Sequence, residues 1–121
     1  MSAERQPNPT NWRREDDASL RCEVVPERDA VHVRPIGSLD LATVAVLDDQ
    51  LKELREAGFG RLIVDLGGLR FMDSTGLRLA LRWHAAAQQD GFDIGFAPGP
   101  PVVQRVFELT GMSEHVPFIT S

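Results

Sequence analysis

Leu62-Ile63-Val64-Asp65-Leu66-Gly67-Gly68-Leu69-Arg70-Phe71-Met72-Asp73-Ser74-Thr75-Gly76-Leu77 is the stretch whose reading decides the fold. Residues 62–66 are apolar except for Asp65, which predicts a central strand buried on both faces. Gly67-Gly68 predicts a tight loop, after which Leu69 and Phe71 tuck back into the core. Asp73-Ser74-Thr75-Gly76 then opens a helix running to about residue 89, since Asp and Ser both favour the N-cap position. Leu77, Ala80, Leu81, His84 and Gln88 share one face of that helix at 3.6-residue spacing, and Arg78, Arg82 and Gln89 share the other. Leu79 and Ala86 fall with the polar side. An exposed Leu79, one turn beyond Ser74, is a candidate partner contact.

Upstream, residues 20–25 and the alternating stretch 30–36 flank the turn chemistry of Pro26-Glu27-Arg28-Asp29 and predict an antiparallel hairpin. Pro35 lacks a backbone N–H, so it is expected near the strand end or on an open edge. Asp40 is placed to cap the next helix with its carboxylate. In that helix Val44, Leu47, Leu51 and Leu54 form an apolar stripe that Gly58 terminates. A strand after a helix after a strand predicts a right-handed parallel crossover. Downstream, residues 92–97 alternate as a further strand. Pro98-Gly99-Pro100-Pro101 leads into a last helix with Val103, Val106 and Phe107 on its apolar face, Gly111 stops it, and residues 112–119 close the core as an extended tail. The expected architecture is one α/β domain over residues 19–121, a mixed four- to five-stranded sheet with helices packed against it. Residues 1–18, polar and proline-containing, read as a flexible leader, with Trp12 as its one large aromatic.

The chain has 121 residues, enough for one hydrophobic core, and a net charge of −5, which argues against general nucleic-acid binding. Cys22 is the single cysteine, so neither a disulfide framework nor a cysteine metal site is expected. No apolar run approaches membrane-spanning length, and the polar N-terminal stretch has no signal-peptide core. A soluble cytoplasmic protein without a membrane partner is the expectation.

Enzyme chemistry lacks its parts. His32, His84 and His115 do not have ligand spacing, so no metal is expected. Ser74 and His84 are separated by about 15 Å of helix, too far for a nucleophile and its base. There is no phosphate-binding loop with its lysine and no dinucleotide fingerprint. The chain is expected not to be an enzyme and to carry no cofactor. Capping explains one polar residue at the 73–75 junction well, and three in a row less well. A serine at a helix N-terminus is also a fitting phosphoacceptor, because free backbone N–H groups and the helix dipole accommodate a phosphate without refolding.

From about residue 20 to 119 the chain resembles a STAS domain of the anti-sigma-factor antagonist type, found in bacterial regulation. The matching pieces are Gly37-Ser38-Leu39-Asp40, Val64-Asp65-Leu66, Phe71-Met72-Asp73-Ser74-Thr75-Gly76-Leu77, and Val106-Phe107-Glu108-Leu109-Thr110-Gly111-Met112. The resemblance implies that Ser74 is the phosphorylation site and that Asp40 lies near the partner interface. With Asp73, Thr75 and Leu79 these form the expected partner-binding set. Thr75 stands where a second serine is common, which makes it a candidate second acceptor. The implied cycle is a partner switch. The unphosphorylated protein binds an anti-sigma factor that is also a serine kinase and so frees a sigma factor. Phosphorylation releases the complex, and a serine phosphatase resets it. ATP and magnesium would belong to the kinase. A second reading keeps the fold as a constitutive subunit of a transporter ATPase or a signalling scaffold. No uninterrupted amphipathic stripe demands a dimer, so a monomer or weak dimer is expected.

Overall fold

The computed structural model describes residues 19–119. The expected leader, with Trp12, lies outside the described residues. Leu20–Pro26 (β1) and Val31–Leu39 (β2) form the antiparallel hairpin, with Leu20 opposite Gly37 and Pro26 opposite Val31. Its turn is closed by Glu27 N–H donating to Ala30 O at 2.7 Å. Val44–Glu56 (α1) follows, then Arg61–Asp65 (β3), a single 3-10 turn over Leu66–Gly68, Leu69–Met72 (β4), Ser74–Asp90 (α2), Asp93–Ala97 (β5) and Pro101–Leu109 (α3). β3 and β4 both pair parallel to β2, and β5 pairs parallel to β3, so only β1 runs against the rest. This is the expected mixed sheet, with five strands.

β2 has two partners along one edge. Residues 31–33 pair with β3, whereas residues 37–39 pair with β4. Gly37 is opposite Leu20 of β1 and also opposite Leu69 of β4, which puts β1 and β4 on opposite edges of β2. Pro35 therefore sits inside the nine-residue β2, opposite Cys22 of β1, and not near a strand end. It falls in the gap between the β3-paired and β4-paired segments. A residue without an N–H is tolerated there, because that edge has no strand beside it.

β4 is the element that the sequence disguised as a loop. Its alternation is broken by a register shift at Gly37/Ser38, so Leu69 and Met72, three residues apart, are both buried. Phe71 consequently does not tuck into the core; it is 45 % exposed.

The three helices send their buried side chains into one cluster. Leu47, Leu51 and Leu54 of α1, Ala80 and Trp83 of α2, and Val103 and Phe107 of α3 meet Val31, Val33, Leu62, Val64, Ile94 and Phe96 of the sheet. Burial alternates along the strands accordingly. Leu62 and Val64 are buried, but Ile63 and Asp65 between them are only half-buried. β3 is thus covered by helices on one face, not both as its apolar run suggests. Past Gly111, whose φ of 74° ends α3, the tail returns along β5. Phe96 N–H donates to Pro117 O at 3.0 Å, and Ile119 N–H donates to Phe96 O at 2.8 Å. Phe118 packs edge-on against Phe107 with centroids 5.0 Å apart, so the tail closes the core as expected.

Candidate functional site

The site is the rim where two neighbouring parallel strands end and their helices begin. Leu39 of β2 is opposite Met72 of β4, so the residues that follow, Asp40 and Asp73, stand side by side. The backbone N–H of Asp73 donates to Leu39 O at 3.2 Å, extending the pairing one step past the strand.

Asp73 is the N-cap of α2. Its φ of −106° and ψ of −170° are extended, and its carboxylate accepts the Thr75 N–H at 2.8 Å. Its backbone carbonyl accepts Gly76 N–H at 3.1 Å. Ser74 is the first helical residue and its side chain is exposed, while Thr75 is half-buried. Arg78, one turn on and also exposed, donates from Nη1 to Ser74 Oγ at 3.3 Å. Arginine offers donors and no acceptor. Arg78 therefore cannot take the proton of the Ser74 hydroxyl.

Asp40 opens the turn before α1. Its Oδ1 accepts the Ala42 N–H at 3.0 Å within that turn, but regular helix begins only at Val44, so the N-cap position expected for Asp40 is taken by Thr43, whose side chain makes no cap bond. Thr43 fixes its place. The Thr43 hydroxyl accepts the Asp40 N–H at 3.0 Å and donates to Ser38 O at 2.7 Å. Thr43 is buried, so this tie is shielded from water. It carries no motif and is invisible to sequence reasoning.

Gly76 explains itself by contact. A Cβ there would lie 2.5 Å from Met72 Cγ and 2.9 Å from Leu39 Cδ2. The first turn of α2 thus rests directly on the two strand-end residues, and only a missing side chain permits that approach.

Leu79 is not part of the rim surface. It is 3 % exposed and belongs to the core, which corrects its reading as an exposed partner contact. The buried face of α2 runs through Gly76, Leu77, Leu79, Ala80, Trp83 and Ala87. The face read from the sequence had the right period but was rotated by about one residue, or roughly 100°, toward His84 instead of Trp83. Trp83 anchors the true face through Nε1, which donates to Asp48 Oδ1 on α1 at 2.8 Å. The apolar groups exposed near the rim are instead Leu41, at 78 %, directly after Asp40, and Phe71 on β4.

Elsewhere, a groove of about 550 Å³ opens between α1 and α2, lined by Asp48, Lys52, Arg55, Trp83 and Phe92 among others. Trp83 lies about 14 Å along the helix from Ser74, so the groove is separate from the rim. Among the described residues, no group of three or more His, Cys, Asp or Glu is placed to hold a metal ion, and no helix is long and apolar enough to cross a membrane. Cys22 is half-buried, and burial pushes its thiol above the usual range.

A parallel-rich α/β sheet covered by helices, with a capped Asp-Ser-Thr-Gly helix start on its rim, defines the class. The family model described as "Mlab, STAS domain" matches residues 22–120. The chain belongs to the STAS-domain family. It is similar to the anti-sigma-B factor antagonist of Staphylococcus epidermidis, 29 % identical over 96 residues that cover 79 % of this chain and 89 % of that protein. Among solved structures, an anti-sigma factor antagonist from Mycobacterium paratuberculosis superposes with a TM-score of 0.70 at 21 % identity, covering 84 % of this chain and 86 % of the other. SpoIIAA in its unphosphorylated form superposes with a TM-score of 0.65 at 23 % identity, covering 84 % and 89 %. Its phosphorylated Bacillus form gives 0.60 at 21 %, covering 84 % and 92 %.

Proposed function

We propose that this STAS domain is an anti-sigma-factor antagonist controlled by phosphorylation of Ser74. Unphosphorylated, it binds an anti-sigma factor with serine-kinase activity through the rim formed by Asp40, Asp73, Ser74 and Thr75. Phosphorylated, it releases that partner until a serine phosphatase resets it. The observation that carries the reading is the exposed Ser74, immediately after the capping Asp73, which itself stands beside Asp40 on the adjoining strand end. The names of the similar antagonists support it, as does the same fold having been solved in a phosphorylated form.

The physics favours release without refolding. A phosphate at Ser74 adds about two negative charges beside two carboxylates. Two charges against one at about 6 Å, with an effective dielectric near 20, repel by about 5 kcal/mol before screening. Salt and exposure remove at least half of that. This repulsion is internal to the chain, so it weakens partner binding to the extent that a docked partner strips away the solvent that screens it in the free protein. The dipole at the start of α2 stabilises the phosphate in the free protein, which adds to the bias against a partner that must desolvate the rim.

The test starts from pull-down of partners by the unphosphorylated chain. A histidine-kinase-like ATPase is expected, and with ATP it should add one phosphate that Ser74→Ala abolishes. Ser74→Asp, with half the charge, should weaken binding about tenfold while circular dichroism and Tm stay near wild type. Labelling that persists in Ser74→Ala, or equal affinities by calorimetry, refutes the switch. Recovery of a transporter ATPase in place of the kinase would favour a constitutive subunit.

A further inference from the structure

We propose that Arg78 is the built-in counterion of the Ser74 phosphate, a side chain that grips the modified serine against α2. The proposal takes its setting from the phosphorylation reading above, and it stands on its own geometry. Arg78 Nη1 already donates to Ser74 Oγ at 3.3 Å across one helical turn. Both residues are exposed, so neither must move through packed side chains to meet a larger group. Phosphorylation replaces a hydroxyl hydrogen by three strong acceptor oxygens. A guanidinium matches such a group with two parallel N–H donors, which a lysine ammonium cannot do.

The position of Arg78 gains sense from this role. Among the described residues the Arg78 guanidinium has no carboxylate partner; its contact is Ser74 Oγ. A phosphate at Ser74 supplies the missing anion in the favourable order, acid one turn before base. Gripped in this way, the phosphate is held in one orientation on the rim, and the guanidinium is withdrawn from any partner that used it. The switch then combines a charge that appears with a charge that is taken away.

The test installs phosphoserine at position 74 of the full chain by genetic encoding, so no kinase is needed. The second ionisation of the phosphate is followed by phosphorus NMR with Arg78 intact and with Arg78→Ala, Arg78→Gln and Arg78→Lys. The ordinary second pKa is about 6. With Arg78 intact it should lie lower than in Arg78→Ala or Arg78→Gln by about half a unit or more, a modest effect for a neighbouring opposite charge at an exposed site. Arg78→Lys should restore part of the shift. Asp40, Asp73, Arg70, Arg105 and Glu108 on the surrounding elements are unchanged in every form, so their contribution cancels. Equal pKa values with and without Arg78, or no recovery in Arg78→Lys, overturn the proposal. Absence of Ser74 labelling by a co-purifying kinase would instead remove the proposed function and leave this measurement intact.

Discussion

Asp73 donates its backbone N–H to the carbonyl of Leu39 at 3.2 Å, which sets the cap of α2 directly beside the turn that begins α1. One hydrogen bond past the end of a short strand thus brings together two acidic residues 33 positions apart in sequence. The rim's charge and its rigidity come from the same contact, and they can be separated by mutation.

Asp73→Ala removes the side-chain cap and should cost about 1 kcal/mol of stability. Asp73→Asn keeps an acceptor for the Thr75 N–H and should lie within a few tenths of wild type. Phosphorylation should then weaken partner binding less in Asp73→Asn than in wild type, because one carboxylate fewer repels the phosphate when a docked partner strips away the screening solvent. Urea denaturation measures the first effect and calorimetry with the partner the second.

Thr43→Val keeps the shape of the side chain and deletes a hydroxyl that serves both the Asp40 N–H and the Ser38 carbonyl. Leaving buried polar groups unpaired should cost about 1–3 kcal/mol, while Thr43→Ser should recover most of it. Chemical denaturation of the two variants is the measurement; equal midpoints for Thr43→Val and wild type would show that Asp40 is held by other means.

Gly76→Ala puts a methyl group against Met72 and Leu39. Overpacking of this kind typically costs about 1–3 kcal/mol, or a drop in Tm of at least about 4 °C for a domain of this size. The first turn of α2 should tilt away from the strand ends, so partner binding should weaken as well.

Leu79→Ala discriminates between surface and core. As a buried residue it should lose about 2–5 kcal/mol, whereas Arg78→Ala next to it should change stability by no more than about 0.5 kcal/mol. A Tm for Leu79→Ala within a degree of wild type would return Leu79 to the surface.

The order of elements was legible because apolar spacing and caps agreed along most of the chain. The stripe Leu47, Leu51, Leu54 and the left-handed Gly91 that ends α2 needed no tertiary information. The junction at Asp73 was legible for the same reason, since its cap is local chemistry. What stayed hidden depended on pairing across the sheet. β4 has four residues and a register shift, so neither its length nor its alternation marks it as a strand. The face of α2 was misjudged because Leu79 and Trp83 flank arginines, and a mixed pattern leaves the phase of a helix loosely fixed even when its period is clear. Trp83 was the available signal, a large apolar body whose N–H needs a partner when it is buried. Thr43 and Arg78 give no signal of their own; their roles exist only as distances.

The double partnership along β2 carries a further consequence. Its first half, against β3, belongs to the foundation of the molecule, and its second half, against β4, belongs to the working rim. Pro35 marks the seam between them. Residues on the rim side can be exchanged to suit a different partner without disturbing the ladder that holds the foundation. A designer seeking to redirect recognition would therefore edit the turn after Leu39 and the exposed Arg70 and Phe71 of β4, and leave the buried Leu69 and Met72, residues 31–33 and β3 as they are.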